Sequence, residues 1–199
     1  MLRVNAIPIS ATQITGPLVL LGLLLVCDFI GAESLLYTRD LIIAGETWRL
    51  LTASFVHLSV NHALLNAAGV VVLWLLHGDY YDSARYIGII MLTSLGTTLG
   101  LLVFSSDLAW YAGLSGALHG IFVWGMGRDF EKGKRTAWLL CAGLLIKLSW
   151  EYLYGGDPSV ALFIGSPVAA DAHLYGSASG LLIVLACFAY RRAFGTTPQ

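Results

Sequence analysis

The chain has 199 residues, 57% of them hydrophobic and only 12% charged, where a soluble domain carries about 25% charged residues. A formal net charge of −1 gives no basic field to hold a polyanion, which excludes a nucleic-acid partner. Cys27, Cys141 and Cys187 each lie inside an apolar run, so they read as small buried hydrophobes and not as a disulfide or zinc framework. With a mean hydropathy of +0.77, the composition is that of a polytopic membrane protein, and the length accommodates about six spans of ~20 residues. One membrane domain, 1–199, is expected.

The first apolar run, about 17–36, begins at Pro17 with no cluster of positive charge before it, so it reads as a retained span and not a signal peptide. Asp28 and Glu33 sit toward its far end. Residues 37–56 are too polar to span and too apolar for a free loop. Trp48 and Arg49 stand side by side there, a pairing that suits the headgroup boundary, so the segment is expected to lie in the interface.

Further apolar runs follow at about 58–77, 86–104, 114–127, 136–154 and 169–190. Counted as six spans, they place Arg3, Arg85, Arg128, Lys132, Lys134, Arg135, Arg191 and Arg192 on the starting side, against Arg39 and Arg49 on the other. Both termini are therefore expected in the cytoplasm and the chain in the cytoplasmic membrane. The fourth run is short. At 1.5 Å per residue it covers about 21 Å of a ~30 Å hydrocarbon core, so loop and water are expected to descend from the outer side to its beginning. Glycines recur at four-residue spacing as Gly96 and Gly100, Gly116 and Gly120, and Gly176 and Gly180. Such faces let helices pack backbone to backbone, which would bring the outer ends of the fourth and sixth spans together.

At the start of that short run stands Gly113-Leu114-Ser115-Gly116, where missing side chains on either side let a substrate approach the serine Oγ. His173 opens the sixth run on the face of Gly176 and Gly180, at the depth of Ser115, and an intramembrane histidine is a functional candidate by default. His62 and Asn66, four apart near the outer end of the second run, can aim N–H donors at one point. A carbonyl under attack by Ser115 would need such donors for its oxyanion. His57 and His62 lie on different helical faces and no His-Glu-x-x-His sequence is present, so neither a metal nor another cofactor is expected. Lys147 and Glu151, four apart, are expected to pair with one another. Asp171, two residues from His173, points away from it, so a Ser115/His173 dyad without a third acid is expected.

These residues together resemble the rhomboid intramembrane serine proteases. The resemblance rests on Trp48-Arg49, on His57, His62 and Asn66 in an H-x4-H-x3-N pattern, on Gly113-Leu114-Ser115-Gly116, and on Ala172-His173 followed by Gly176 and Gly180. It implies an all-α, six-transmembrane-helix rhomboid-like bundle with a short central fourth helix. It also implies Ser115 as nucleophile and His173 as general base, with His62, Asn66 and Gly113 at the oxyanion and substrate contacts. His57, His119, Trp48 and Arg49 would support them. Many rhomboids place an aromatic ring against the base one turn below the serine, where this chain has His119. The Leu-His-Gly after the motif and the small size resemble the rhombosortase branch, whose substrates carry a C-terminal anchor with a Gly-Gly site.

The expected partners are a transmembrane or C-terminally anchored protein substrate and membrane lipid, with the active site opening to the outer side. The Trp48-Arg49 pair would either anchor its segment or hold a lipid phosphate so that a headgroup amine resolves the acyl-enzyme. A non-catalytic rhomboid-like pseudoprotease is the alternative function. A channel or transporter is disfavoured because internal repeats and a path of intramembrane acids are missing from the sequence.

Overall fold

The first helix begins earlier than hydropathy indicates. The computed structural model describes residues 10–195, which leaves Arg3 of the starting-side basic set outside them. Helix α1 spans Ala11–Ile30, against the expected 17–36. Ser10 precedes it and its backbone N–H donates to Gln13 Oε1 at 2.8 Å, half of a capping box that starts the helix a turn and a half before Pro17. It ends at Gly31, whose φ of +100° is a conformation few other residues adopt. A short helix α2, Ala32–Leu35, and a two-residue strand β1, Tyr37–Thr38, follow.

The 37–56 segment is a folded strap. Beyond β1 it forms α3, Arg39–Ile43, and α4, Arg49–Thr52, then a tight turn at Ala53–Phe55. Arg49 does not snorkel toward headgroups. Only 5% exposed, it donates to Glu46 Oε2 at 2.6 Å and to the carbonyls of Glu33 and Leu36 at 3.0 and 2.8 Å. A guanidinium in an apolar surrounding must satisfy its fork of donors, and three acceptors of its own chain do so. The phosphate-holding role for Arg49 falls on that count, while Trp48 remains half exposed.

Helix α5, Val60–His77, is capped by Ser59, whose side chain accepts from the His62 N–H at 3.1 Å. Helix α6, Ser83–Phe104, is capped by Asp82 through the N–H groups of Ala84 and Arg85. At its far end Arg39 Nη2 donates to the Leu102 carbonyl at 2.9 Å, satisfying an end-of-helix acceptor with a cation where the dipole favours one. The return segment forms β2, Trp110–Tyr111, which pairs antiparallel with β1, Tyr37 opposite Tyr111. This small ladder is an addition to the all-α expectation, and it fixes the strap to the chain just before Ser115.

Helix α7 runs Ser115–Glu131, longer than the expected 114–127. The extra turn carries charge, and tertiary contacts satisfy it. Asp129, 3% exposed, accepts from Tyr80 Oη at 2.6 Å and lies 3.0 Å from Lys134 Nζ. Glu131 meets Arg128 and Arg191. Seventeen residues still make only about 26 Å. Helices α8, Thr136–Tyr154, α9, Pro158–Ile164, and α10, Ala170–Phe194, complete the chain. Among the described residues, four helices are long and apolar enough to cross a membrane: α1, α5, α6 and α10. Helix α7 and the more polar α8 are not in that set, so length and composition support four spans where six were expected.

The glycines at four-residue spacing bring α7 and α10 into backbone contact. A Cβ built on Gly116 would lie 2.9 Å from the Ala172 carbonyl oxygen, and one on Gly120 2.8 Å from that of Gly176. From the other side, a Cβ on Gly176 or Gly180 would run into the carbonyls of Gly116 and Gly120. Helix α6 closes the group, with Gly96 against Ser179 and Gly100 against Tyr175. The larger apolar core, with Leu20, Leu24, Val70, Ile90, Ile121 and Trp124, lies between α1, α5, α6 and α7.

Gly180→Ala is expected to cost about 1–3 kcal/mol by overpacking a contact that has no room, read as a lower unfolding midpoint in detergent. Gly88→Ala, where nothing lies within 4 Å of the added carbon, is expected to be neutral or slightly stabilising, since alanine is the better helix former.

Candidate active site

Ser115 owes its position to the turn before it. Tyr111, held in β2, donates its hydroxyl to the Gly113 carbonyl at 2.6 Å. Burial pushes that phenol's pKa up to about 12, so it stays a neutral donor. The Gly113 N–H donates to the Ala53 carbonyl at 2.9 Å, which ties the turn to the strap. Gly113 has φ +121°, and a Cβ there would stand 2.6 Å from His62 Cε1 and Nε2. Both backbone and space therefore require glycine. Leu114, fully buried, holds the position before α7 without a capping side chain, and Ser115 begins the helix, where first-turn N–H groups have no acceptor within it.

The α7–α10 contact places His173 opposite the serine. His173 Nε2 lies 3.0 Å from Ser115 Oγ. His173 as a residue is 6% exposed, and its ring stacks on His119 with centroids 4.2 Å apart and 22° between planes. His119 Nδ1 is 2.7 Å from the Ser115 carbonyl, and because a carbonyl only accepts, that nitrogen carries the proton. His119 thus packs as the aromatic ring beneath His173.

Glu151 corrects the expectation of a site without an acid. It does pair with Lys147, at 2.7 Å, but its carboxylate also reaches His173 Nδ1, with Oε1 at 3.0 and Oε2 at 2.9 Å. Lys147 Nζ is itself 3.2 Å from the same nitrogen. Asp171 does turn away, to Ser105.

On the other side of Ser115, α5 presents His62 and Asn66, 7% and 3% exposed. His62 Nδ1 and Asn66 Nδ2 are buried polar atoms without a hydrogen-bond partner, an arrangement that is costly unless something arrives to use it. Behind them is a contact the sequence reading did not assign. Asp28 of α1 accepts from the His57 backbone N–H at 2.7 Å and lies 3.1 Å from its Nδ1, and the His57 ring meets that of His62 edge-on, centroids 5.0 Å apart. Burial holds His57 below the usual imidazole pKa, opposed by Asp28. The neutral ring donates Nδ1–H to the carboxylate. The available signal was an acid inside an apolar run. No group of three or more His, Cys, Asp or Glu among the described residues is placed to hold a metal.

These groups end in a cavity of about 1190 Å³. His62, Asn66, Ser115, His119 and His173, with Lys147 and Glu151 beside them, belong to its polar part. Leu65 and Val72 of α5 and Leu140 and Leu144 of α8 form apolar walls, a surface suited to an apolar chain segment. Trp48 and Arg49 are not in its lining; they belong to the strap.

A serine Oγ 3.0 Å from a buried imidazole nitrogen, sharing an apolar cavity with His62 and Asn66, is the geometry that an acyl-transfer site would need, here within a helical membrane bundle. The rhomboid-domain family model matches residues 44–190, and the chain belongs to the rhomboid family. It is 28% identical over 139 residues to the rhomboid protease GlpG of Klebsiella pneumoniae, in each of two strains, a match covering 68% of this chain and 47% of that protein. The chain spans about half the length of the curated relatives it matches.

Gly113→Ala is expected to displace His62 and to cost about 1–3 kcal/mol of backbone strain. The expected readout is slower labelling of Ser115 by a fluorophosphonate at a temperature where circular dichroism still shows the folded state.

Proposed function

We propose that the protein is an intramembrane serine endopeptidase. The observation that carries the reading is the 3.0 Å contact of His173 Nε2 with Ser115 Oγ, beside buried donors left without partners at His62 and Asn66. In this mechanism Ser115 attacks the scissile carbonyl while His173 takes its proton. The oxyanion is held by His62, Asn66 and the Ser115 backbone N–H, and His173 returns the proton to the leaving amine. An acyl-enzyme forms, and water or an amine resolves it. Helices α7 and α8 complete a six-span bundle in the cytoplasmic membrane, with both termini inside and the site opening outward, a topology supported by the excess of basic residues on the starting side.

The substrate class that fits is a protein with a single apolar span or a C-terminal anchor, seated along the walls of α5 and α8. The resemblance of the Leu118-His119-Gly120 stretch after the serine motif to the rhombosortase branch supports processing of a Gly-Gly anchor signal, with a lipid amine as acceptor for the acyl group.

Ser115→Ala and His173→Ala are expected to abolish both cleavage and fluorophosphonate labelling. Asn66→Ala is expected to slow turnover about 10²–10³-fold, the usual cost of one oxyanion donor; wild-type turnover in a folded Asn66→Ala enzyme would remove that assignment. For the acyl acceptor, mass spectrometry of a Gly-Gly anchored substrate cleaved in phosphatidylethanolamine vesicles is expected to show added mass at the new C-terminus. A free carboxylate would leave a hydrolytic protease.

A further inference from the structure

Every partner of the His173 Nδ1 nitrogen comes from α8, and the two partners make opposite demands. Glu151 can only accept, so its bond to Nδ1 exists when that nitrogen carries the proton and Nε2 is the bare, basic one facing Ser115. Lys147 can only donate, so its bond exists when Nδ1 is bare and Nε2 carries the proton. In that second state Nε2 cannot receive the serine proton. The two arrangements exclude each other, and one of them is inactive as a base.

The distances decide between them. Both carboxylate oxygens of Glu151 lie within 3.0 Å of Nδ1, while Lys147 Nζ is at 3.2 Å and is itself drawn to Glu151 at 2.7 Å. Charge-assisted bonds to a carboxylate are the shorter and stronger kind, and the glutamate and imidazole side chains are 10% and 8% exposed against 42% for Lys147. The remaining groups facing the ring do not compete for Nδ1. Ser115 holds Nε2, His119 gives its own Nδ1–H to the Ser115 carbonyl, and Asp171 is bonded to Ser105.

We infer that Glu151 is a positioning residue completing a Ser115–His173–Glu151 triad, with Lys147 as the charge that Glu151 must keep away from the histidine. The inference rests on the protease reading above and adds to it a tautomer-setting acid on a neighbouring helix. Holding the base by its far nitrogen fixes both its orientation and its proton, and it stabilises the imidazolium that forms when Ser115 attacks. A pair of charges inside an apolar helix is expensive, and the salt bridge alone would leave its geometry toward Nδ1 without use.

The test uses the full-length enzyme in detergent and a fluorophosphonate probe, whose labelling separates the maximal rate from the binding constant. Glu151→Ala is expected to lower the maximal labelling rate at least about 10²-fold, toward the about 10⁴-fold lost when a triad acid is replaced, with the binding constant unchanged. Glu151→Asp is expected to recover part of the loss and Lys147→Met to label near the wild-type rate. The double variant Lys147→Met/Glu151→Ala is expected to label faster than Glu151→Ala alone, because the ammonium no longer occupies Nδ1. Nitrogen-15 histidine spectra are expected to show the His173 proton on Nδ1 in the wild type and on Nε2 in Glu151→Ala. A Glu151→Ala enzyme labelled at the wild-type rate, or a wild-type spectrum with the proton on Nε2, overturns the inference. Loss of labelling in Ser115→Ala separates that result from a failure of the protease reading, which undiminished labelling of Ser115→Ala would signal.

Discussion

The backbone contact between α7 and α10 is the constraint on which the site depends. Ser115 and His173 are 58 positions apart, and each sits at the start of its own helix. Hydrogen-bond distance between them requires the two axes to approach more closely than any side chain at the crossing would permit. Gly116 and Gly120 facing Gly176 and Gly180 provide that approach. In lipid, with no hydrophobic drive between helices, close packing of small residues is a main source of association. The same feature therefore holds the bundle and sets the distance between Ser115 and His173.

Around that contact the chain solves a second problem, the cost of polar groups at membrane depth. The charged groups named here are each tied to at least one partner from another element. Arg49 is bound to the strap and α2, Asp129 to Tyr80 and Lys134, Asp28 to His57, and Glu151 to Lys147 and His173. Threonines of α6 turn their hydroxyls back on their own helix, as Thr97 does to the Thr93 carbonyl at 2.7 Å. The nitrogens of His62 and Asn66 are among the buried side-chain polar atoms without a protein partner, and they share a cavity with Ser115, where the proposed reaction would form its oxyanion.

The strap and the β1–β2 ladder belong to the same economy of position. A nucleophile on a helix end is only as well placed as the turn before it. Here that turn is fixed three times: by the Tyr111 hydroxyl on the Gly113 carbonyl, by the Gly113 N–H on Ala53, and by strand pairing to Tyr37. Arg39 and Arg49 hold the strap itself. Residues far from the chemistry thereby constrain where Ser115 Oγ points.

What the sequence determined by itself was local and periodic. Apolar runs marked the helices α1, α5, α6, α7, α8 and α10, glycines four apart marked the faces that approach, and Gly113-Leu114-Ser115-Gly116, His62, Asn66 and His173 were singled out as candidates by type and depth. Boundaries failed where a cap or an ion pair outweighed hydropathy, at Ser10 with Gln13 and at Asp129 with its partners. Tertiary structure alone decided which acid serves which histidine. Lys147 and Glu151 read in sequence as a self-contained i,i+4 pair, and Asp28 as an isolated acid in an apolar run. Nothing local says that one carboxylate reaches across from α8 to His173 or that the other lies under His57. Side-chain pairing between helices depends on their rotation and separation, and those are set by packing at the glycine faces, many residues away from the acids themselves.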